Sequence, residues 1–252
     1  MPHVHVDYHE QYYDEPYYFA PAVEPYHELI TDWQKDFQQI IGRNNAKYFD
    51  EYKLLYFRNE EFDLLYPGFG DTYPIFNGAL GMTYEKGGIG AGLSIKTEAK
   101  DTLTLKERID HHYLTGIATI EATYQNVDKV LEEFKTFFES PPLNKTNDYK
   151  MFVISDANQP TKIRDLVKLL KLNKIEFGFL SSGKQKSIKN AYDYMTGEKR
   201  NIKVSNKDIC IPIDQKMGVL ASVLFEPRTF LSDTLTYDIT AWSLPYIYGL
   251  NA

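Results

Sequence analysis

Scarcities in this sequence narrow its function before any motif does. There is one cysteine, Cys210, in 252 residues. That excludes an internal disulfide framework and any zinc site built on thiolates, and it leaves the redox compartment open. No apolar run approaches the ~20 residues that a helix needs to cross a bilayer, so no membrane span is expected. Glycine and proline number 15 and 12, ordinary globular levels that exclude collagen-like and low-complexity chains. Positive charge is also in deficit, with 28 Lys and Arg against 35 Asp and Glu for a formal charge of -7. A binder of nucleic acid or anionic membrane needs a basic field to neutralise phosphates, so nucleic acid is not an expected partner. The opening MPHVHVDYHE has neither the basic nor the apolar region of a secretory signal.

Aromatic residues, by contrast, are abundant at 15%. Twelve of the 20 tyrosines precede residue 91, a concentration that predicts a wide aromatic-lined surface or cleft. Charge is divided unevenly: residues 1–148 carry 13 basic and 25 acidic side chains, net -12, and residues 149–252 carry 15 and 10, net +5. All six histidines lie in the first part. The break-prone SPPLNKTND at residues 140–148 marks a domain boundary between the two. A chain of this length suits one large or two small domains at ~150 residues each.

The first part opens on HVHVDYH, where Val4, Val6 and Tyr8 alternate with His5, Asp7 and His9. Period two predicts a strand with His5, Asp7 and His9 on one face. Between Pro25 and Gly42 the set Leu29, Ile30, Trp33, Phe37, Ile40 and Ile41 recurs at helical steps, with Gly42 suited to the helix end. GALGMTYE at residues 78–85 reads as a buried strand ending in an acid. Thr104 and Glu107 form a capping-box pattern ahead of a helix carrying Ile109, Ile117 and Ile120. A second helix is predicted over 126–139, with Val127, Val130, Leu131, Phe134 and Phe138 inward. In the second part MFVIS (151–155), a helix around 161–172 and IEFGFL (175–180) form a strand–helix–strand unit, followed by ICIPI and the helical GVLASVLF. That order predicts a small, doubly wound parallel α/β domain.

Chemistry can reside in two places. HVDYHEQ combines imidazoles and carboxylates, the groups from which a catalytic zinc site is assembled, although strand-face histidines more often make ordinary hydrogen bonds. Glu85 ends an apolar segment before two glycines. A partly desolvated carboxyl there has a raised pKa and suits general-base work, while the alternative is an acid that caps a loop or faces solvent.

Together VDYHEQ (6–11), YYFAPA (17–22), YPGFGDTYP (66–74) and NGALGMTYEKGG (77–88) resemble the zinc carboxypeptidases, the carboxypeptidase A-like metallopeptidases, and more narrowly bacterial members with long C-terminal extensions. The resemblance covers residues 1–125, the later half of such a domain. It implies a partial carboxypeptidase-like α/β domain with a mixed sheet and helices. His9 would be the third zinc ligand and Glu85 the general base. Tyr66, which like the family's mobile tyrosine precedes a glycine by four positions, would close over the substrate's C-terminal residue; its competing role is an aromatic plug in a turn. The implied cofactor is zinc, the implied partner a peptide C-terminus, the implied reaction hydrolysis of the last peptide bond, and the implied setting an exported or periplasmic one.

The departures are as informative as the matches. The family's HxxE ligand pair is absent: the residues three positions after the histidines are Val6, Tyr8, Tyr12, Ile30, Leu114 and Thr115. Its Asn/Arg pair for the substrate carboxylate is expected before Met1, in a missing N-terminal half of the peptidase domain. A catalytic zinc takes three protein ligands and a water, so this chain by itself is expected to bind zinc poorly and to be inactive. GGIGAG (87–92) lacks the third glycine of a dinucleotide motif. Residues 126–148 read as helix and linker. Residues 149–252, through LFEP and YDITAWSLPYIYGL, resemble a class I glutamine amidotransferase-like module of flavodoxin-like α/β type. That domain has no histidine and Cys210 has no nucleophile elbow, so it is expected to be non-catalytic. The leading expectation is a metallocarboxypeptidase fragment; the alternative is a non-catalytic peptide-binding or interaction protein derived from one.

Overall fold

The computed structural model describes residues 2–144, 149–155, 159–237 and 239–252. The fold is α/β with mixed sheets. The chain forms two compact units, one of residues 1–137 with 231–238 and the other of 138–230 with 239–252. It passes from one to the other inside a helix rather than at the Pro-rich stretch, and residues 145–148 of that stretch lie outside the described residues.

In the first unit β1 (Val4–Gln11), β2 (Tyr17–Tyr18), β4 (Tyr56–Phe57) and β6 (Leu80–Gly87) form one sheet in the order β1-β6-β2-β4. β1 and β6 are parallel, and β2 runs antiparallel to β6. β3 (Val23–Tyr26) and β5 (Asp63–Leu64) form a second, small parallel pair, and β7 (Ile95–Lys96) and β8 (Thr102–Leu103) an antiparallel one. The helices are α1 (Asp32–Tyr52), the short α2 (Thr72–Ile75), α3 (Leu105–Gln125) and α4 (Val127–Glu139). α1 and α3 pack on each other and on β6.

α1 starts later and ends later than the periodicity predicts. Thr31 and Gln34 make a full capping box, and the left-handed Lys53 ends the helix. Gly42 sits mid-helix, where a Cβ would overlap the Ala20 carbonyl and the Pro21 ring. Close approach of backbone, and not helix termination, explains this glycine. Phe37, Ile41 and Phe49 are fully buried, and between them run the buried amides Gln34, Gln38 and Asn45. Gln34 Nε2 donates to Ile75 O and Ala79 O, and Gln38 Nε2 to Gly81 O at 2.7 Å. Gln34 thus ties α1 to the connection between α2 and β6, and Gln38 ties it to β6 itself.

Tyr17, Tyr18 and Tyr84 are completely or almost completely buried, Tyr17 and Tyr84 in the core with Phe19, Phe37 and Phe49, while the other nine tyrosines before residue 91 stay partly or fully exposed. One expectation fails here, the inward face of α3. On α3 the buried face is Arg108, His111, Thr115, Ala118, Thr119 and Ala122, whereas Ile109 and Ile120 are 56% and 67% exposed. α3 lies close against α1 and β6, and small residues allow that approach where isoleucines would hold it off. On α4 likewise Val130 and Phe137 are buried, while Val127 and Leu131 stay exposed.

In the second unit β9 (Met151–Ile154) is followed by α5 (Pro160–Leu172), the hairpin β10 (Lys186–Tyr192) with β11 (Lys199–Val204), β12 (Ile209–Pro212), α6 (Gly218–Phe225) and α7 (Leu244–Tyr248). The doubly wound parallel arrangement is not what forms. β12 pairs antiparallel with β9 on one side and, through Cys210, antiparallel with Gly178 on the other. β9 and the 175–180 segment therefore run parallel to each other across α5, but β12 is inserted between them. Segment 175–180 reduces to that one bridge, and Phe179 on it is 55% exposed. The hairpin went unforeseen; its turn is held by Asp193 Oδ1, which accepts from the Met195 and Thr196 amides at 2.9 Å each. No helix among the described residues is long and apolar enough to cross a membrane.

Candidate functional site

The parallel pairing of β1 with β6 sets Asp7 opposite Thr83 and His9 opposite Glu85. Residues two apart on a strand share a face, so these four side chains leave one side of the sheet together. Met82 and Tyr84 turn to the other side, into the core under α1 and α3. The open side is a cavity of about 350 Å³, which residues 68–71, Phe62, Asp63 and Tyr237 also line.

Backbone detail brings the carboxylates close. Gly70 has no side chain where a Cβ would strike the Asp7 carboxylate, and Gly81 has none where one would strike the Asp71 carbonyl. Asp71 caps α2: its Oδ1 accepts from the Thr72 amide at 2.7 Å and its Oδ2 from Thr83 Oγ1 at 2.8 Å. Burial raises the Asp71 pKa, those two bonds work against the rise, and the Asp7 charge adds to it. Asp63 accepts from the Leu65 amide at 3.1 Å and from the Tyr237 amide at 2.7 Å, and burial raises its pKa too.

His9 Nε2 lies 2.9 Å from Asp7 Oδ2. Partial burial opposes charge on the ring, but the Asp7 hydrogen bond and the charges of Asp7, Glu85 and Asp71 outweigh it and raise the pKa. Stability from this pair is therefore present below the ordinary imidazole value of ~6.5 and is lost as pH rises through the higher folded-state value. A ring 53% exposed makes that contribution small. In Asp7→Asn the His9 pKa should fall, as read by NMR titration of its ring protons. An unchanged His9 titration would remove Asp7 from the site.

Glu85 is the unusual group. It is 7% exposed, and its Oε2 is buried with no hydrogen-bond partner among the described residues. Burial pushes its pKa up to about 7; the charge of His9 opposes the shift, and those of Asp7, Glu61 and Asp71 reinforce it. A buried carboxyl near neutrality can hold or release a proton close to neutral pH, the property that general acid–base chemistry uses.

The donor set does not complete a metal centre. Among the described residues no group of three His, Cys, Asp or Glu is placed to hold a metal ion, and His9 Nε2 is committed to Asp7. A catalytic zinc needs three protein ligands, so these residues alone do not fit one.

Of the three residues singled out from sequence, His9 and Glu85 share this cleft and Tyr66 does not line it. The Tyr66 ring lies over Gly68, where a Cβ would strike its phenol, and edge-on to Phe69 at 5.0 Å. Its carbonyl accepts from Thr72 Oγ1 at 2.5 Å. His5 sits opposite Gly81, two register pairs before Asp7 opposite Thr83, and outside the cavity lining. Asp7 was legible as a facemate of His9, and Asp71 carries the Asp-Thr signature of a helix cap. Asp63 and Tyr237 are 174 positions apart and give no local signal. Compared with known proteins, the chain matches no family model, no curated protein and no solved structure.

Proposed function

We propose that this chain supplies the proton-transfer side of a carboxypeptidase-type peptide hydrolase, with Glu85 as general base, and that the rest of a zinc ligand set comes from polypeptide outside these 252 residues. The observation that carries the reading is Glu85, its carboxyl raised to about 7, directly across the strand pair from His9. A base with a pKa near working pH accepts a proton from the attacking water and returns it to the leaving amine at the least combined cost. His9 is the imidazole that lines the cleft, and with Nε2 held by Asp7 it would ligate through Nδ1. Tyr66 enters this scheme only by moving off Gly68. Residues 149–252 serve as a packing or interaction module: Cys210 is half-buried with its thiol pKa raised by burial, and that part of the sequence has no histidine to act as its base.

A second reading is a peptide-binding protein without catalysis. The aromatic wall of Phe62, Phe69 and Tyr237 favours it. Four carboxylates in the same cavity repel a peptide C-terminus unless a cation is added, so such a binder would prefer a cationic segment.

Zinc content and release of C-terminal residues from blocked peptides test the proposal. The chain alone should hold substoichiometric zinc and show no turnover. Mixed with a polypeptide carrying the HxxE ligands it should gain turnover, and Glu85→Gln should cost that mixture about 10²- to 10⁴-fold in kcat. One tightly bound zinc and turnover by the chain alone would refute the incomplete site. Unchanged turnover in Glu85→Gln would refute the base, and lysine-rich peptide binding with no turnover in any mixture favours the second reading.

A further inference from the structure

Among the described residues of the second unit, two sheets each end on an edge that no strand covers: β9 is bonded to β12 alone, and β10 to β11 alone. Cys210 exchanges both backbone bonds with Gly178, at 2.9 and 2.8 Å, and the Ile213 amide donates to Lys150 O. Antiparallel pairs alternate between bonded and non-bonded, so Lys150, Phe152 and Ile154 point their peptide groups at β12. Met151 and Val153 point theirs away from it. On the hairpin the Asp193 amide donates to Glu198 O, which turns the peptide groups of the adjacent Tyr192 outward as well.

The two edges face one cavity. Tyr149–Val153 from one and Lys186–Tyr192 from the other line a space of about 450 Å³. Backbone already enters one end of it: Asn251 O accepts from the Ser155 amide at 2.9 Å and Ala252 O from the Tyr194 amide at 3.1 Å. The next outward peptide groups along each edge are those of Val153 and Tyr192. β10 runs regularly over Lys186–Ile188 and again over Ala191–Tyr192, with a bulge between them at which Asn190 is left-handed.

The lining also specifies charge. Lys150, Lys186 and Lys189 stand at the cavity, all exposed, and no acidic side chain lines it. Met151, Ile188 and Tyr192 supply apolar surface between them. Edge strands of this kind are normally blunted by charge or covered; lysines on both edges leave this one open to a chain of opposite sign.

We propose that this slot binds an extended acidic polypeptide segment by strand addition. The segment's main chain bonds the peptide groups of Met151, Val153 and Tyr192, and its carboxylates meet Lys150, Lys186 and Lys189. Main-chain bonds supply affinity in such complexes, and alternate side chains supply selectivity. The site is separate from the Glu85 cleft and does not depend on hydrolysis there.

The test uses the full chain and a fluorescent, end-blocked peptide of roughly eight residues alternating glutamate with valine. Anisotropy should show saturable binding that weakens with salt, and amide exchange should slow at residues 151–153 and 190–192. The Lys186→Glu, Lys189→Glu double variant should weaken binding by about tenfold or more. Two further probes act on the unaltered chain, so the outcome does not depend on that variant folding: a peptide with lysine for glutamate, and one with proline at alternate positions, should both fail to bind. Equal binding of either, protection elsewhere in the chain, absence of binding by the glutamate peptide, or binding of an oligothymidylate of about 20 nucleotides in its place would each overturn the proposal.

Discussion

Glu85→Gln should stabilise the protein at pH 8 and leave it unchanged at pH 4. The folded-state pKa of Glu85 is raised from 4.5 to about 7. Between those values the native state keeps a proton that the unfolded chain gives up, so the native state binds more protons and stability falls as pH rises through that window. Above about 7 the loss is complete. At 1.36 kcal/mol per pKa unit it amounts to at most about 3 kcal/mol. Glutamine has the shape of the protonated acid and cannot ionise. In acid it replaces one neutral group with another; in base it removes a buried charge whose Oε2 has no partner among the described residues. Urea denaturation of both proteins at the two pH values measures this. Equal midpoints at pH 8 would show that Glu85 is ordinarily solvated, and the proposal that it acts as a base would lose its physical ground. A stabilising substitution at a functional position is the usual sign that stability has been given up for chemistry.

Phe49→Ala should cost about 3–5 kcal/mol. Phe49 is 0% exposed, and its ring centroid lies 5.0 Å from that of Tyr17, 5.2 Å from Phe19, 5.8 Å from His111 and 5.9 Å from Tyr56. These aromatic neighbours are held by other elements and cannot collapse into the space, so the cavity persists and its full cost is felt. Against a total stability of ~5–15 kcal/mol for a domain, that is a large fraction. Thermal melting should move down by about 6–20 °C. Ile120→Ala is the contrasting control: at 67% exposure it should change stability by no more than about 0.5 kcal/mol. Similar losses for the two would mean that α3 buries the face the sequence pattern favours, and the packing of α3 against β6 would be wrong. The same ring cluster supports the site, since Tyr17 and Tyr84 belong to it and Tyr18 pairs directly with Glu85.

The sequence alone determined the α/β class, the strand that carries Asp7 and His9, the strand that ends near Glu85, the existence but not the ends of the helix through Trp33 and Ile41, and the helix that begins after Thr104. Each of these rests on residues close together in the chain, where alternation, helical spacing and capping chemistry act locally. It also identified His9 and Glu85 as a pair worth testing, by resemblance and not by periodicity. Only the tertiary structure decided that Tyr17, Tyr18 and Tyr84 are the tyrosines that enter the interior, that α3 buries its small and polar face, and that β12 separates two strands expected to be neighbours. Only the tertiary structure brought Asp63 and Tyr237 to the cleft and gave Glu85 its raised pKa. Burial, strand order and proton affinity depend on which distant elements meet, and that choice is made by the summed packing of the whole unit rather than by any short stretch of it.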